Sequence, residues 1–507
     1  MKFAPWIVLL AGCGATGGRA GLDGGAGDGP SFNFDFAGMV CSPNDPPACD
    51  GNALKVCRMD GSGYDFTPCT SGCANGACTC NPGDLQCMGQ EAQQCGMDGA
   101  WHTIQTCANG TQCMNGTCGD ARCADETMST NPHALPTDAW PRFRHDNRNT
   151  GSTPAVVAAN PKLKWKVFVG GTDLNSQMGL ASGPVVNQNN LIFIGAGDQD
   201  GMGGSYYSFD PTGKKLWTFV ANRGYGLSTP AVRADGTSYF STTTQMLYAV
   251  DPNGKQAWNM MVGSQADSDP IVTRDGILIY SSDDGSLYAL DGNGALQWKS
   301  SPQTGPGEVD GGLAESCDGK ILAGGANGWF QIDAKTGMTL WHVMSTGSRN
   351  ALLSSPLVTA DGTMYGFDYG GQGIAIDSTG KVLWQKQVGP AGTGSSPGKI
   401  GNTLFVVLGD GQLHAFDATN GNQLWQKPVN NDVTLYLNAG PITDGNNHIY
   451  YNSTDGYIYA FDVNGMQLWR IAHSGVARQQ VWWGTMAIGR DGTLYVPSND
   501  GNLYAYQ

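Results

Sequence analysis

The residues whose types and spacing could do chemistry are few in this chain of 507 residues. Asp198 and Asp200 alternate before a glycine, as at the start of a calcium loop, but the later bidentate acid of such a loop is missing. Ser396 lies in a Gly-x-Ser-x-Gly sequence, which presents a nucleophile only where a strand turns sharply into a helix. Here the sequence opens a short strand, so we expect no catalytic residue and only a weak metal candidate at Asp198 and Asp200.

Cysteine is concentrated in one region. Thirteen cysteines lie between Cys41 and Cys123, in two modules at 41–79 and 80–123. Each module repeats Met-Asp-Gly after its third cysteine and is too short to build a hydrophobic core. In an exported chain we predict three disulfides per module, and fifteen connectivities are open for each. A zinc site is the alternative, disfavoured because His102 is the only histidine within the modules.

The N-terminus predicts export and lipid attachment. Residues 1–12 combine a lysine with a short apolar core, and Leu-Ala-Gly-Cys13 resembles a bacterial lipobox. Cys13 would carry the lipid. The next residue is Gly14, where a lipoprotein retained in the inner membrane often has aspartate, so we expect the outer membrane as the location. An ordinary signal peptide with an accidental cysteine is the alternative. Residues 13–40 are rich in glycine and predict a flexible tether.

The remainder of the chain is organised around one repeated phrase: an aspartate, a short turn with glycine, and a strand that ends in tryptophan. It reads Asp-Ala-Lys-Thr-Gly-Met-Thr-Leu-Trp at 333–341, and successive tryptophans from Trp217 to Trp469 lie 40 to 44 residues apart. Alternating apolar residues and Asp-Gly or Asn-Gly turns fill the intervals, which predicts strands and hairpins. A period of this length is typical of four-stranded propeller blades or of two-helix solenoid units, and helical spacing is absent.

The number of blades follows from the inner-strand phrases. Phrases such as Ser182-Gly-Pro begin eight times, but only seven are followed by a complete Asp–Gly–Trp phrase, and the eighth stops at Gln507. The missing outer strand is available at Lys162–Trp165, ahead of the first blade. We therefore predict an all-β, eight-bladed β-propeller over 140–507, closed by an N-terminal strand that removes the exposed edges. Residues 124–139 are predicted to form a polar linker.

Cys123 and Cys317 are left over once each module has six cysteines. One interpretation is a disulfide between them, which would join the Cys-rich stalk to the fourth blade. Two separate thiols, or pairing with cysteines of the modules, are the alternatives.

The phrase at 333–341 resembles the Asp-x-x-Thr-Gly-x-x-x-Trp repeat of the pyrroloquinoline-quinone (PQQ) propellers. The stretch from Trp140 to Asp146 is similar to the usual preface of such propellers. This family includes quinone-dependent alcohol dehydrogenases and the propeller lipoprotein of outer-membrane-protein assembly. The modules look like Cys-rich repeats of secreted bacterial surface proteins, and they are not part of the assembly propeller's usual plan.

The resemblance implies a specific chemistry that can be compared with the sequence. Quinone enzymes of this family carry two adjacent cysteines over the cofactor, and a calcium ion held by Glu, Asn and Asp. This chain has no Cys-Cys dipeptide, and no calcium ligand can be assigned by motif. We therefore expect no cofactor, with PQQ and calcium as the alternative. The repeated tryptophans are expected to pack between blades; they are Trp165, Trp217, Trp258, Trp298, Trp341, Trp384, Trp425 and Trp469.

Differences between the blades predict a binding face. The connections from one blade's outer strand to the next blade's inner strand gather at one end of the channel, and their sequences differ. The residue types that dominate interfaces occur there at Arg223, Tyr225, Arg349, Asn350, Tyr436, Trp482 and Trp483. Loops that merely differ are the alternative interpretation.

The net charge of −15 argues against binding to nucleic acid. We predict an exported, non-catalytic lipoprotein at the outer membrane, facing the periplasm or the cell surface. Its partners would be envelope or extracellular proteins or glycans, with outer-membrane protein assembly as one role. An enzyme that uses the propeller funnel is the alternative.

Overall fold

The structure is a computed structural model that describes residues 41–120 and 139–507 with short gaps. The gaps are 43–44, 52, 59–61, 69–72, 75, 79, 81–83, 97–99, 108–110, 115–116, 171–181, 198–203, 222–227, 243, 265–267, 302–305, 308, 310–311, 345–353, 391–394, 430–439, 454, 473–483 and 499. The predicted signal peptide, Cys13 and the tether lie outside the described residues. The chain forms two compact units, of which the first ends at Cys78 and the second begins at Thr79.

The first unit contains the first Cys-rich module. A three-stranded sheet is followed by a two-stranded hairpin. The strands are β1 (Ala48–Asp50), β2 (Ala53–Cys57), β3 (Tyr64–Pro68), β4 (Cys73–Ala74) and β5 (Ala77–Cys78). Disulfides join Cys41 to Cys57 and Cys49 to Cys73, so the first cysteine pairs with the third and the second with the fifth.

The second unit begins with the second module, which repeats this plan. Its strands are β6 (Leu85–Met88), β7 (Glu91–Cys95), β8 (Trp101–Thr106), β9 (Thr111–Met114) and β10 (Thr117–Asp120). Disulfides join Cys80 to Cys95 and Cys87 to Cys113, again first to third and second to fifth. The prediction of disulfides is confirmed for these four pairs.

Eight four-stranded antiparallel sheets follow in the same unit. We label the strands of each blade A to D from the innermost outwards. Blades 1 to 4 comprise β12 (Val185–Val186), β13 (Ile192–Gly197), β14 (Gly204–Phe209), β15 (Lys215–Ala221), β16 (Ala231–Val232), β17 (Ser238–Thr242), β18 (Met246–Val250), β19 (Gln256–Met261), β20 (Ile271–Val272), β21 (Leu278–Ser282), β22 (Ser286–Leu290), β23 (Leu296–Lys299), β24 (Ala314–Glu315), β25 (Lys320–Gly325), β26 (Gly328–Asp333) and β27 (Thr339–Val343). Blades 5 to 7 comprise β28 (Leu357–Val358), β29 (Met364–Phe367), β30 (Gln372–Ile376), β31 (Val382–Gln387), β32 (Gly398–Ile400), β33 (Thr403–Val407), β34 (Gln412–Asp417), β35 (Gln423–Pro428), β36 (Ile442–Thr443), β37 (Ile449–Asn452), β38 (Tyr457–Phe461) and β39 (Gln467–Ala472).

Blade 8 is assembled from both ends of the propeller. Its strands A to C are β40 (Ala487–Ile488), β41 (Leu494–Pro497) and β42 (Asn502–Tyr506), and strand D is β11 (Leu163–Phe168). β11 pairs antiparallel with β42, from Leu163 opposite Tyr506 to Phe168 opposite Asn502. The predicted eight-bladed propeller closed by an N-terminal strand is confirmed.

The repeated Asp–Gly–Trp phrase locks each blade to the next. In blade 3, Asp291 Oδ1 accepts hydrogen bonds from the N–H groups of Asn293 and Ala295, which closes the turn between strands C and D. Gly294 in that turn has φ +84°, a conformation that glycine adopts without strain. A Cβ at Gly294 would lie 2.8 Å from the indole ring of Trp258 in the preceding blade. Trp258 in turn donates its indole N–H to the carbonyl of Gly292 at 3.1 Å.

The same lock recurs at seven of the eight junctions between blades. The indole of each tryptophan donates to a carbonyl in the next blade's C–D turn, over 2.8 to 3.3 Å. The tryptophans concerned are Trp165, Trp217, Trp258, Trp298, Trp341, Trp384 and Trp425. The apolar core therefore lies between blades, as in the cluster that joins strands of blades 7, 8 and 1.

Candidate functional site

The lead-in segment, residues 139–157, runs along the inner strands of the propeller and joins blade to blade. Trp140 exchanges two backbone hydrogen bonds with Val186 in blade 1, and Val232 in blade 2 donates to the carbonyl of Pro141. Backbone bonds further along reach Glu315, Val358 and Thr443 in blades 4, 5 and 7. In blade 8 the carbonyl of Val156 lies so close to Gly492 that a side chain there would clash.

Two fully buried arginines fix the lead-in segment. Arg144 donates to the carbonyls of Pro441 at 2.7 Å and Pro397 at 2.5 Å, in blades 7 and 6. Arg142 donates to the carbonyl of Leu313 in blade 4 and to Asn149. Burial lowers the pKa of Arg142 to about 10 and that of Arg144 to about 9, against the opposing charge of Asp146. Both therefore stay protonated at neutral pH and donate to backbone carbonyls of blades 4, 6 and 7.

Asp146 holds the bend that brings these arginines inside. Its Oδ1 accepts the N–H groups of Arg148 and Thr150, and its Oδ2 accepts the hydroxyl of Thr150. Burial opposes its charge, but neighbouring His145, Arg148 and Thr150 outweigh burial and hold its pKa far below the usual value. Arg144, His145 and Asn149 have positive φ, which non-glycine residues adopt at a cost that the surrounding contacts must offset.

The lead-in segment contacts both ends of the inner strands. In an antiparallel blade, the A–B and C–D turns share one end, whereas the B–C turn and the exit from strand D share the other. The backbone contacts at Val186, Val232 and Val358 fall on the last residue of each A strand, towards the A–B end. The arginine contacts at Leu313, Pro397 and Pro441 fall just before the A strands, towards the end of the D–A connections, which we call the mouth.

A ring of small polar residues borders the lead-in segment on the side of the mouth. It consists of the second residue of each inner-strand phrase: Gly183, Thr229, Asp269, Gly312, Ser355, Ser396, Gly440 and Thr485. Neighbours around the ring are hydrogen-bonded, because the N–H of Gly183 donates to Thr229, that of Thr229 to Asp269, and that of Gly312 to Ser355. A Cβ at Gly312 would lie 2.8 Å from Phe143, and one at Gly440 would lie 2.4 Å from Arg144. The ring therefore packs against the lead-in segment, and its serine and threonine members are buried.

The predicted binding-face residues lie outside the described residues: Arg223, Tyr225, Arg349, Asn350, Tyr436, Trp482 and Trp483. Asp198, Asp200 and Cys123 also lie outside them. Within the described ranges, no group of three or more His, Cys, Asp or Glu side chains is placed to hold a metal ion. The described part of the chain also holds no helix with the length and apolarity to cross a membrane.

The Gly-x-Ser-x-Gly stretch opens strand β32, as expected. Ser396 is buried, and the residues after it enter an inner strand rather than a helix, so the motif has no nucleophile elbow. His414 is hydrogen-bonded to Asp410, which lies in the B–C turn of the same blade. His342 is hydrogen-bonded to the carbonyl of Asn327. These contacts are local to single blades and do not bring a base to the ring.

Asp444 ties the end of the lead-in segment to blade 7 and makes stability depend on pH. Its Oδ2 accepts the N–H of Val157 at 3.1 Å and the hydroxyl of Tyr450 at 2.9 Å. Burial opposes its charge, but hydrogen bonds from His448 and Tyr450 prevail, so the pKa of Asp444 is lowered. Its charge therefore stabilises the fold above its unfolded pKa of about 3.9. That contribution is lost as the pH falls through the lowered folded pKa.

We expect Asp444→Asn to reduce the free energy of unfolding at pH 7 by about 1–3 kcal/mol, because the Val157 N–H and the Tyr450 hydroxyl lose their charged acceptor. The difference between Asp444→Asn and the unsubstituted chain should shrink below about pH 4. Urea unfolding at pH 7, 5, 4 and 3 measures both. Asp462→Asn, in an exposed C–D turn, is the control. A difference that stays constant down to pH 3 would contradict the assignment.

Sequence reasoning placed the segment from Trp140 to Asp146 at the start of the propeller but missed its position inside the channel. A signal was present, because Arg142, Arg144, Asp146 and Arg148 place four charged residues within seven positions of a chain that is 14% charged. Pairing Arg142 and Arg144 with backbone carbonyls of distant blades needs the closed ring, which periodicity alone does not supply.

Comparison with known proteins identifies the repeats. A family model for PQQ-like repeats, described as "Outer membrane protein assembly factor BamB", matches residues 203–329 and 326–454. Tetrathionate hydrolase of Acidithiobacillus ferrooxidans is 27% identical over 195 residues, which cover 33% of this chain and 36% of the relative. Outer membrane protein assembly factor BamB of Vibrio cholerae is 33% identical over 109 residues, which cover 19% of this chain and 28% of the relative. The chain thus spans about a third of the length of these curated relatives.

A solved structure shows the same fold. The crystal structure of BamB from Moraxella catarrhalis superposes with a TM-score of 0.53 at 19% sequence identity, covering 69% of this chain and 100% of that one. This likeness concerns the fold alone. The repeats between residues 203 and 454 therefore match the PQQ-like repeat family of propellers.

Proposed function

We propose that this protein is a lipid-anchored scaffold of the bacterial cell envelope, whose propeller binds proteins or glycans and catalyses no reaction. The observation that carries the proposal is the lead-in segment, which occupies the space between the inner strands with two buried arginines that donate to backbone carbonyls and Asn149. We assign recognition to the mouth, where the sequences of the connections differ from blade to blade.

The distribution of shifted pKa values supports a scaffold over an enzyme. Strong shifts in active sites usually fall on groups in a cleft that meets substrate. Among the described residues, strong pKa shifts fall on Arg142, Arg144 and Asp146, on Lys399, and on buried tyrosines such as Tyr206, and burial acts on all of them. The charged groups of the lead-in segment are engaged with backbone carbonyls and turn N–H groups, which is a structural use.

The envelope location is part of the proposal. Cys13 would carry the lipid and hold the chain at the outer membrane, with the glycine-rich tether between membrane and modules. The family description, which names an outer membrane assembly factor, supports a role with outer-membrane proteins.

Photo-crosslinking in intact cells tests the scaffold. A photoreactive residue at Trp482 or Arg349 is expected to give discrete products with a partner protein, and the same residue at Leu424, on an outer strand, is not. Cys13→Ala should release the chain from the membrane fraction. With the photoreactive residue at Trp482, alanine at Trp483 and Arg349 that left every crosslink intact would remove the mouth as the binding face.

A quinone-dependent dehydrogenase is the alternative function, and the residues of this chain do not fit it. The sequence has no adjacent cysteine pair, and the described residues offer no cluster of calcium ligands. The full-length oxidised chain can be incubated with PQQ and calcium, desalted, and examined by visible absorbance. Stoichiometric retained quinone would overturn the scaffold proposal in favour of a dehydrogenase.

We propose in addition that Cys317 is joined to Cys123. Cys317 is buried and disulfide-bonded in blade 4. Both modules pair their first cysteine with the third and their second with the fifth, which leaves the fourth and sixth of each for one another. Cys123 is then the cysteine that remains, once Cys13 carries lipid. Non-reducing peptide mapping should yield a Cys123–Cys317 peptide, and alkylation of Cys123 in the native chain would contradict the link.

A further inference from the structure

The A–B turn of blade 6 differs from the A–B turns of the other seven blades. In those seven, a loop of five residues follows the last pair of the A–B ladder, as it does after Val358 in blade 5. The middle residue of the loop is aspartate in five blades and asparagine in two. In blade 6 the last pair is Ile400 opposite Thr403, so the turn consists of Gly401 and Asn402. The repeat is therefore broken at this one turn.

The second Cys-rich module touches the turn that breaks the repeat. Gln94 lies in β7, the central strand of the module's three-stranded sheet, next to Cys95 and its disulfide to Cys80. A Cβ at Gly401 would lie 2.6 Å from Nε2 of Gln94 and 3.0 Å from its Cδ. Gly401 also has φ +52°, a conformation that glycine adopts without strain. A glycine here therefore serves both the tight turn and the approach of the module.

Lys399 lies beside the same contact. In the other blades the equivalent residue, which ends the A strand, is Val, Thr, Ile or Glu and is buried. Lys399 donates from Nζ to the carbonyl of Gly401, the residue that Gln94 approaches. Burial lowers the pKa of Lys399 to about 8, although the charge of Asp361 in blade 5 opposes that change. The ammonium group thus has limited access to water, as expected where the turn is covered by a docked module.

A second attachment point lies on the same face of the propeller. Cys317, in the A–B loop of blade 4, is buried, disulfide-bonded and packed against Ala360 of the blade 5 loop. Its proposed partner, Cys123, follows the end of β10 at Asp120 by three residues. Three residues span at most about 10 Å. With that bond, the chain that leaves the second module would be held two blades away from the contact made by Gln94.

We propose that the A–B turn of blade 6 is a docking seat for the second Cys-rich module, which thereby forms a fixed cap on the A–B face of the propeller. The seat consists of Lys399, Gly401 and Asn402, and β7 occupies it through Gln94. The five-residue loop of the other blades would add side chains at the place of Gly401. The seat lies at the opposite end of the blade from the D–A connections, so this proposal does not depend on what the mouth binds.

Intramolecular crosslinking tests the seat in the full-length, oxidised chain. A compact diazirine residue in place of Gln94, followed by irradiation, reduction and peptide mapping, should give a product with residues 399–403. The control places the same diazirine residue at Met88, which is 67% exposed. Met88 pairs with Glu91, so its side chain is on the other face of the module's sheet and should give no product with blade 6.

A loop exchange shows whether the short turn is required. Residues 400–403 are replaced by the blade 5 loop Thr-Ala-Asp-Gly-Thr, residues 359–363, which restores the repeat. The yield of the product should fall by about fivefold or more, because the new side chains occupy the space beside Gln94. The same five residues in place of 489–493, the A–B loop of blade 8, should leave the yield unchanged. Thermal unfolding and mapping of the Cys80–Cys95 disulfide check that both variants are folded.

Three results would overturn the proposal. The first is the absence of a product between the residue at position 94 and residues 399–403. The second is a yield that the loop exchange in blade 6 leaves unchanged. The third is a product with twice the mass of the chain, which would place the module on a second copy instead of on its own propeller. None of these results would bear on crosslinking at the mouth.

Discussion

Arg144→Met is expected to lower the free energy of unfolding by about 3–5 kcal/mol. The guanidinium spans the carbonyls of Pro441 and Pro397, which lie in neighbouring blades next to their inner strands. Methionine fills much of the volume but donates nothing, so two buried carbonyls lose their partners at once. Arg144→Lys keeps the charge but lacks the planar fork that reaches both carbonyls, so its loss should be intermediate.

Arg490→Met is the matched control for this prediction. Arg490 donates to the carbonyl of Gln188 at 2.7 Å, which is the same kind of hydrogen bond, but its side chain is exposed. Water can replace that bond, and we expect a loss within about 1 kcal/mol. Urea unfolding followed by tryptophan fluorescence compares the two variants. Similar losses would show that the lead-in segment does not carry the stability attributed to it.

Gly294→Ala is expected to destabilise the propeller by about 2–4 kcal/mol, the sum of two effects. The first is the left-handed conformation at φ +84°, and the second is the clash of a new Cβ with Trp258 at 2.8 Å. Gly319 has φ +75°, but a Cβ there meets only one atom, at 3.9 Å. Gly319→Ala should therefore show the conformational cost alone, about 1–2 kcal/mol.

A double-mutant cycle separates the clash from the conformational cost. Trp258→Ala alone should cost about 3–5 kcal/mol, because it removes an indole packed between two blades. In the Trp258→Ala background, Gly294→Ala has nothing to clash with and should cost no more than Gly319→Ala. Additive losses in the double variant would mean that the glycine is needed for its backbone conformation alone.

The fold could be predicted from the sequence because its information is local and repeated. Asp291 and Gly294 are required by the turn in which they lie, and seven near-copies of that turn disclose the period. Closure of the propeller by β11 could be predicted because the eighth blade lacked its outer strand in the sequence. The predicted strand began at Lys162 and ended at Trp165, whereas the pairing with β42 extends from Leu163 to Phe168. Strand ends depend on the partner strand, which periodicity does not give.

The candidate site was much less predictable. Arg142 and Arg144 look like ordinary surface charges until the closed ring brings carbonyls from blades 4, 6 and 7 around them. Likewise, the ring of small residues at the mouth forms only when the eight A strands are aligned, so no single phrase of the sequence predicts it. Trp469 has the same sequence phrase as the other tryptophans, and only the topology of blade 8 reveals that its junction is different.

The position of the lead-in segment also constrains the order of folding. Residues 139–168 are synthesised before the blades that they contact, and their partners extend to Gln507. These contacts join residues up to about 340 positions apart, and such long-range pairing slows folding. Until the last blade has been synthesised, β11 and the two buried arginines have no final partners. We therefore expect completion of the propeller to be a single late step rather than a blade-by-blade addition.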